Sequence, residues 1–218
     1  MSDPDIVVGQ ILSLLTSDQS YRASVEKLPL LELPEALRLN DPNLRDKPWY
    51  KLTFGDYYIL IGLFGVALGI IPPYKDWVSF RKFALSVFER LKGTIINEIE
   101  SVSLKYLDFF SDINILEKAN CEISLNGKKI TEIPTIFRTE IREGEFIKAV
   151  QVTNGAHLTN QALGIDNDGS LIEINLFTRS VKENEFANVI EKAHSIQKKS
   201  FFELLTDEYL KTFEIEYE

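Results

Sequence analysis

An α+β chain is expected, in a duplicated layout: an antiparallel β-meander followed by one long amphipathic helix, twice, as a curved sheet backed by two helices. Three observations carry this. Two apolar runs, 49–54 and 57–71, flank Gly55-Asp56, a tight hairpin turn. Apolar residues then advance by three and four from Trp77 through Phe80, Phe83, Ala84, Val87 and Phe88 to Leu91. Finally, short alternating segments lead to a second helical pattern over 184–204.

Taken in order, 4–16 is a helix with Asp3 as N-cap, Pro4 at its first position and Val7, Ile11, Leu14 and Leu15 as its stripe. Four prolines between Pro29 and Pro48 predict an extended, loop-rich wrapping segment. Residues 58–71 are apolar on both parities, so that strand is central or sandwiched, with a break near Gly62 or Gly65. Asp76 caps the next helix, and Lys92-Gly93 closes it. A strand over 97–109 places Val102, Leu104 and Tyr106 on one face and Ser101, Ser103 and Lys105 on the other.

The remainder is strand-rich. Asn126-Gly127 joins 121–125 to 129–133 with a strong type I′ signal, and Glu143-Gly144 joins 135–141 to 146–153. Asp166-Asn167-Asp168-Gly169 is expected to turn between 161–165 and 171–178. The closing helix turns Phe186, Val189, Ile190, Ala193, Phe201 and Leu204 inward, before a short turn and an acidic tail. The chain therefore divides into a wrapping segment (1–48), a first half (49–110) and a second half (111–218), with both halves on one continuous sheet.

A net charge of −9 repels phosphate backbones, and Lys128-Lys129 and Lys198-Lys199 are too small to reverse that, so nucleic-acid binding is disfavoured. A single cysteine, Cys121, excludes an intrachain disulfide framework and reads as a half-buried thiol. The acidic N-terminus lacks the basic region of a signal peptide, and the apolar stretch 59–71 is too short to span a bilayer. A cytoplasmic chain with no membrane partner is the expectation.

No motif names a reaction. Nucleophile elbow, Walker loop, dinucleotide loop and zincin helix are all missing from the sequence. Of two histidines, His194 lies at the margin of the apolar stripe and is expected to bond a backbone carbonyl; His157 is expected in an exposed loop. Asp166–Gly169 resembles a calcium loop, but its twelfth position is Phe177 and lacks the bidentate acid. Glu173 and Asn175 alternate with Ile172, Ile174 and Leu176, either lining a polar pocket or forming a solvated face; Glu98, Glu100 and Asp108 admit the same two readings. Were those two strands neighbours, converging acids would raise one pKa. No catalytic residue, metal ligand or cofactor site is assigned.

A family resemblance joins several of these features. Leu33-Pro34-Glu35, Asp41-Pro42-Asn43-Leu44 and Pro48-Trp49-Tyr50 form its opening; Ile61-Gly62 then leads to Tyr74, Trp77 and Phe80. The strand from Val102 to Phe110, the segment Gly169–Asn175, and His194 with Phe201 and Phe202 complete it. Together they resemble a sporadically distributed bacterial and archaeal family without an assigned activity, whose members run to about 250 residues; this chain, at 218, fits one large domain or two small ones. Lys105 and Asp108 stand where that family has arginine and asparagine, and Glu173 and Asn175 where it has aspartates. Such swaps favour binding over catalysis, and patchy distribution is typical of mobile-element and defence cargo.

The leading expectation is a non-catalytic interaction or regulatory protein with a protein partner, in a toxin–antitoxin or phage-defence setting; a homo-oligomer is compatible with it. The alternative is a small-ligand or enzymatic domain using a cavity between sheet and helices. Tyr74, Trp77, Tyr106, Glu173, Asn175 and His194 are the candidate pocket or interaction residues.

Overall fold

The computed structural model describes residues 4–16, 23–131, 134–160 and 164–213. The chain is α+β and divides into two compact units, Met1–Asn97 and Glu98–Glu218.

In the first unit, α1 (Pro4–Thr16) is followed by β1 (Ala23–Lys27). A 3-10 turn (Pro29–Glu32) and two short helices, α2 (Glu35–Asn40) and α3 (Pro42–Arg45), lead to β2 (Pro48–Phe54), β3 (Tyr57–Gly62) and β4 (Val66–Ile70). The four strands form an antiparallel sheet in chain order. The expected break falls at Leu63–Gly65, where the Gly62 N–H donates to the Gly65 carbonyl at 2.9 Å. It leaves β3 central and the apolar β4 at the edge.

Next comes α4 (Trp77–Leu91). Its start is fixed by Asp76, whose carboxylate accepts the Ser79 N–H at 2.6 Å. Its end is followed by Gly93 at φ +72°, a conformation glycine adopts without strain. α1 lies against α4 and β3. The α1 stripe is Val8, Ile11 and Leu15, with Val7 and Leu14 at its margins; the Asp3 cap lies outside the described residues.

The second unit begins with β5 (Ser101–Ser111), a 3-10 turn (Ile115–Glu117) and a two-residue hairpin, β6 (Ser124–Leu125) and β7 (Lys128–Lys129). Three long strands follow: β8 (Thr135–Glu143), β9 (Phe146–Asn160) and β10 (Ile165–Arg179). A 3-10 turn (Glu183–Glu185), α5 (Phe186–Leu204) and α6 (Asp207–Leu210) close the unit. The strand order is β5-β10-β9-β8, all antiparallel. Phe110 stacks on Phe201, and the Gln197 amide donates to the Ile174 carbonyl at 2.7 Å, so α5 covers the face of Val102, Leu104, Ile172, Ile174 and Leu176.

Several expectations are corrected. The described strands form two four-stranded sheets and the small β6–β7 hairpin, not one continuous sheet, because β4 and β5 are separated by α4 and its following turns and do not pair. The strand assigned to the first half, now β5, starts at Ser101 and belongs to the second unit, where β10 supplies its ladder. Within the wrapping segment, Ala23–Lys27 is a strand on β2, its alternation too short and polar to announce it. The hairpin over 121–133 shrinks to two residues a side, although Asn126 and Gly127 take the expected left-handed conformations (φ +50° and +75°).

Asp166-Asn167-Asp168-Gly169 is not a turn. It is ladder, paired with Thr159, Leu158, His157 and Ala156, so β9 and β10 form one long hairpin and His157 stands in a strand. Turn-type residues are tolerated there because that end of the hairpin is exposed on its polar positions. Gly169 answers to packing: a Cβ there would collide with the Phe110 carbonyl oxygen of β5. Beside it the register shifts by one residue at a bulge, and Gly155 takes φ +71°.

Candidate functional site

The strand register sorts the second-unit candidates onto two faces. Tyr106 and Asp108 lie opposite Ile174 and Ile172, on the face covered by α5. Leu107 lies opposite Glu173, and Lys105 opposite Asn175, on the other face. Tyr106 and Glu173 therefore do not share a pocket.

On the covered face, the Tyr106 hydroxyl lies 3.3 Å from His194 Nδ1, with the rings 6.0 Å apart. His194 thus meets a phenol where a backbone carbonyl was expected. It is half-buried, and burial holds its pKa below the usual histidine value, aided by Lys198 and opposed by Glu191. Two residues along β5, burial pushes the Asp108 carboxyl up to about 6. One turn beyond His194, Gln197 is buried, and its side-chain oxygen has no hydrogen-bond partner. Tyr106, His194 and Gln197 are thus polar side chains on this covered face, with Asp108 further along β5.

On the open face, Glu173 sits between Lys105 at 3.3 Å and Arg138 at 4.0 Å. Asn175 Oδ1 accepts the Ser103 hydroxyl at 2.6 Å. Around this polar centre stand Leu107, Ile136 and Ile147, exposed by 56%, 71% and 38%. The two strands that carry the acids are indeed neighbours, but the acids do not converge. Glu98 and Glu100 precede β5, and Asp108 and Glu173 point to opposite faces. The raised pKa of Asp108 comes from burial alone.

Tyr74 and Trp77 belong to the first unit. Tyr74 is exposed, whereas Trp77 opens α4 half-buried with its ring 6.1 Å from Phe80. Phe83, one turn on, lies beneath Tyr57, stacked at 4.3 Å.

One constellation escaped the sequence reading. His157 is held by Asp168 (Nδ1, 2.8 Å) and Asp166 (Nε2, 3.0 Å), and Thr159 donates to the same Asp166 oxygen at 3.0 Å. The two carboxylates, Asp168 first, raise the His157 pKa above its ordinary value. Its only signal was alternation of acids at 166 and 168, visible once that segment is a strand. Among the described residues no cluster of histidine, cysteine and acid side chains is arranged to hold a metal ion. A cleft of about 590 Å³ opens beside Cys121, walled by Leu116, Asn120, Glu122 and Lys129, and includes none of the six candidates. Burial raises the pKa of the Cys121 thiol there.

No family model, curated protein or solved structure matches this chain.

Proposed function

We propose that this chain is a non-catalytic interaction protein that docks and regulates another protein through the open face of its second sheet. The observation that carries this is the arrangement of that face. Leu107, Ile136 and Ile147 are exposed around the Lys105–Glu173–Arg138 charges and the Ser103–Asn175 bond. Apolar anchors around charges that fix orientation are the composition of a protein-binding surface. The charges set register and discriminate partners, while the apolar side chains supply the affinity. A net charge of −9 favours a partner with a basic docking surface. The resemblance to a patchily distributed family supports a toxin–antitoxin or phage-defence setting for such a pair.

The test is isolation from the native host of the tagged chain and of the double variant Leu107→Arg/Ile147→Arg. The wild type is expected to recover a stoichiometric protein partner, and the variant to lose it with an unchanged circular-dichroism spectrum. Recovery of the same partner by both, or turnover of a substrate by the lone chain, overturns the reading.

A further inference from the structure

We infer that β8 is a self-pairing edge, through which two copies of this chain join their second sheets antiparallel about a two-fold axis at Thr139. This rests on the edge of the sheet and shares Ile136 and Arg138 with the face proposed above for a partner, but it needs no partner protein.

The strand β8 ends the order β5-β10-β9-β8, and among the described residues no strand lies beyond it in the sheet. An unpaired edge offers a row of backbone donors and acceptors to another strand. Natural edges are commonly guarded by charges, and β8 carries four: Arg138, Glu140, Arg142 and Glu143. Here the signs alternate about a centre. A closed two-fold pair keeps each face of the sheet continuous, so residues of like parity meet across the seam.

With Thr139 facing Thr139, Arg138 of each copy faces Glu140 of its mate on the open face. On the other face Phe137 meets the mate's Ile141, which is 49% exposed in the single chain. On the open face again, the stem of Arg142 lies across the mate's Ile136, exposed by 71%. Thr135 meets Glu143, and all nine residues of the strand are used. Arg138 and Glu140 already share an ion pair at 3.0 Å on one strand, so the seam assembles two such pairs into a ring of four alternating charges.

Other symmetric registers are poorer. Centring on Arg138 or on Glu140 sets like charges face to face. Centring on Ile141 keeps a Glu140–Arg142 pair but overlaps only 139–143, and centring on Phe137 makes no ion pair. Charge complementarity therefore selects both the occupant, a second copy, and its register.

The experiment is sedimentation velocity on the full chain, with Arg138→Glu, Glu140→Arg, their one-to-one mixture and the double swap. The wild type is expected at twice the 24.9 kDa chain mass. Each single variant raises the dissociation constant about tenfold or more, because both symmetric pairs turn repulsive. The mixture recovers a heterodimer and the double swap a homodimer, since each restores opposite charges at both places. A monomeric wild type overturns the proposal, as do single variants that dimerise like the wild type or a mixture and double swap that both stay monomeric. Should the variants misfold, hydrogen exchange on the wild type decides. Amides over 135–143 must be better protected at high protein concentration than at low, and concentration-independent exchange there overturns the seam.

Discussion

In the first unit the most deeply buried side chains are Ile11, Leu52, Ile59, Ile61 and Leu91, all aliphatic. In the second, Ile172, Ile174 and Leu176 are just as buried, but Asn154, Ser170, Thr178, Gln197 and Ser200 are buried with them. Among the described residues, those of polar type that are buried as a whole all lie in the second unit, whereas the first buries only single polar atoms of Arg38, Trp49 and Arg81. The difference is one of direction. Aliphatic contacts are non-directional and stabilise any arrangement that excludes water. A buried hydroxyl or amide fixes a geometry, because leaving it unpaired costs more than pairing it gains. Ser170 accepts the Ile115 N–H at 3.1 Å, donates to the Ile113 carbonyl at 2.6 Å and lies 3.0 Å from Asn154 Oδ1. The Thr178 hydroxyl donates to the Glu145 carbonyl at 3.0 Å, tying β10 to the β8–β9 turn. Long strands that could slip are thereby pinned at both ends.

That contrast is open to a paired measurement of denaturant unfolding and hydrogen exchange. Leu52→Ala removes a side chain with no exposed surface and is expected to cost its unit about 2–5 kcal/mol, lowering amide protection throughout the first sheet. Ser170→Ala strands the Ile115 N–H and is expected to cost about 1–3 kcal/mol, with protection lost first around Ile113–Glu117. If the two losses spread alike over their sheets, the polar pins do not act locally and the contrast fails.

Asp108 sharpens the same comparison, since it is a half-buried acid with no ion pair among the described residues. Its folded pKa is raised from 3.8 to about 6, so the folded state holds the proton more tightly. Its stabilising contribution is complete below pH 3.8 and is lost as pH rises through about 6. Asp108→Asn, a neutral isostere, is expected to remove that slope and to stabilise the second unit at pH 7 by about 2 kcal/mol, allowing for the carboxyl's partial exposure. Unchanged pH dependence of unfolding in the variant would show that the carboxylate is solvated.

What was legible in the sequence follows from how local each signal is. The α4 stripe, its Asp76 cap and the β5 alternation are written in neighbouring residues, and each stands as expected. The pairing of β5 with β10 is a contact between residues 101–111 and 169–179, and no local pattern encodes it. The Asp166–Gly169 segment misled because its residues favour turns by intrinsic chemistry, whereas fifteen-residue partners override that preference. At the site level, the nearness of Tyr106 and His194 depends on the helix crossing, so two residues could be singled out but not joined. The split of Tyr106 from Glu173 needed only the register, which the strand boundaries alone left open.

The smallest effect expected separates the two histidines, the open end of a hairpin against the covered face of a sheet. His157, between Asp168 and Asp166, is expected to titrate above 6.5, and His194, half-buried beside Tyr106, below it. The signs are opposite in stability. The His157 pairing stabilises the fold at pH below 6.5 and is lost as pH rises through its raised folded pKa. His194 favours the fold while neutral, above pH 6.5, and that contribution is lost as pH falls through its lowered folded pKa. Ring-proton NMR over pH 4 to 9 resolves both, being roughly the range in which histidines titrate. Asp168→Asn should bring His157 back toward 6.5, because its largest perturbation comes from that carboxylate. Tyr106→Phe should leave His194 below 6.5, because burial and not the phenol depresses it. Two histidines titrating together near 6.5 would erase the distinction between the open and covered ends of this sheet.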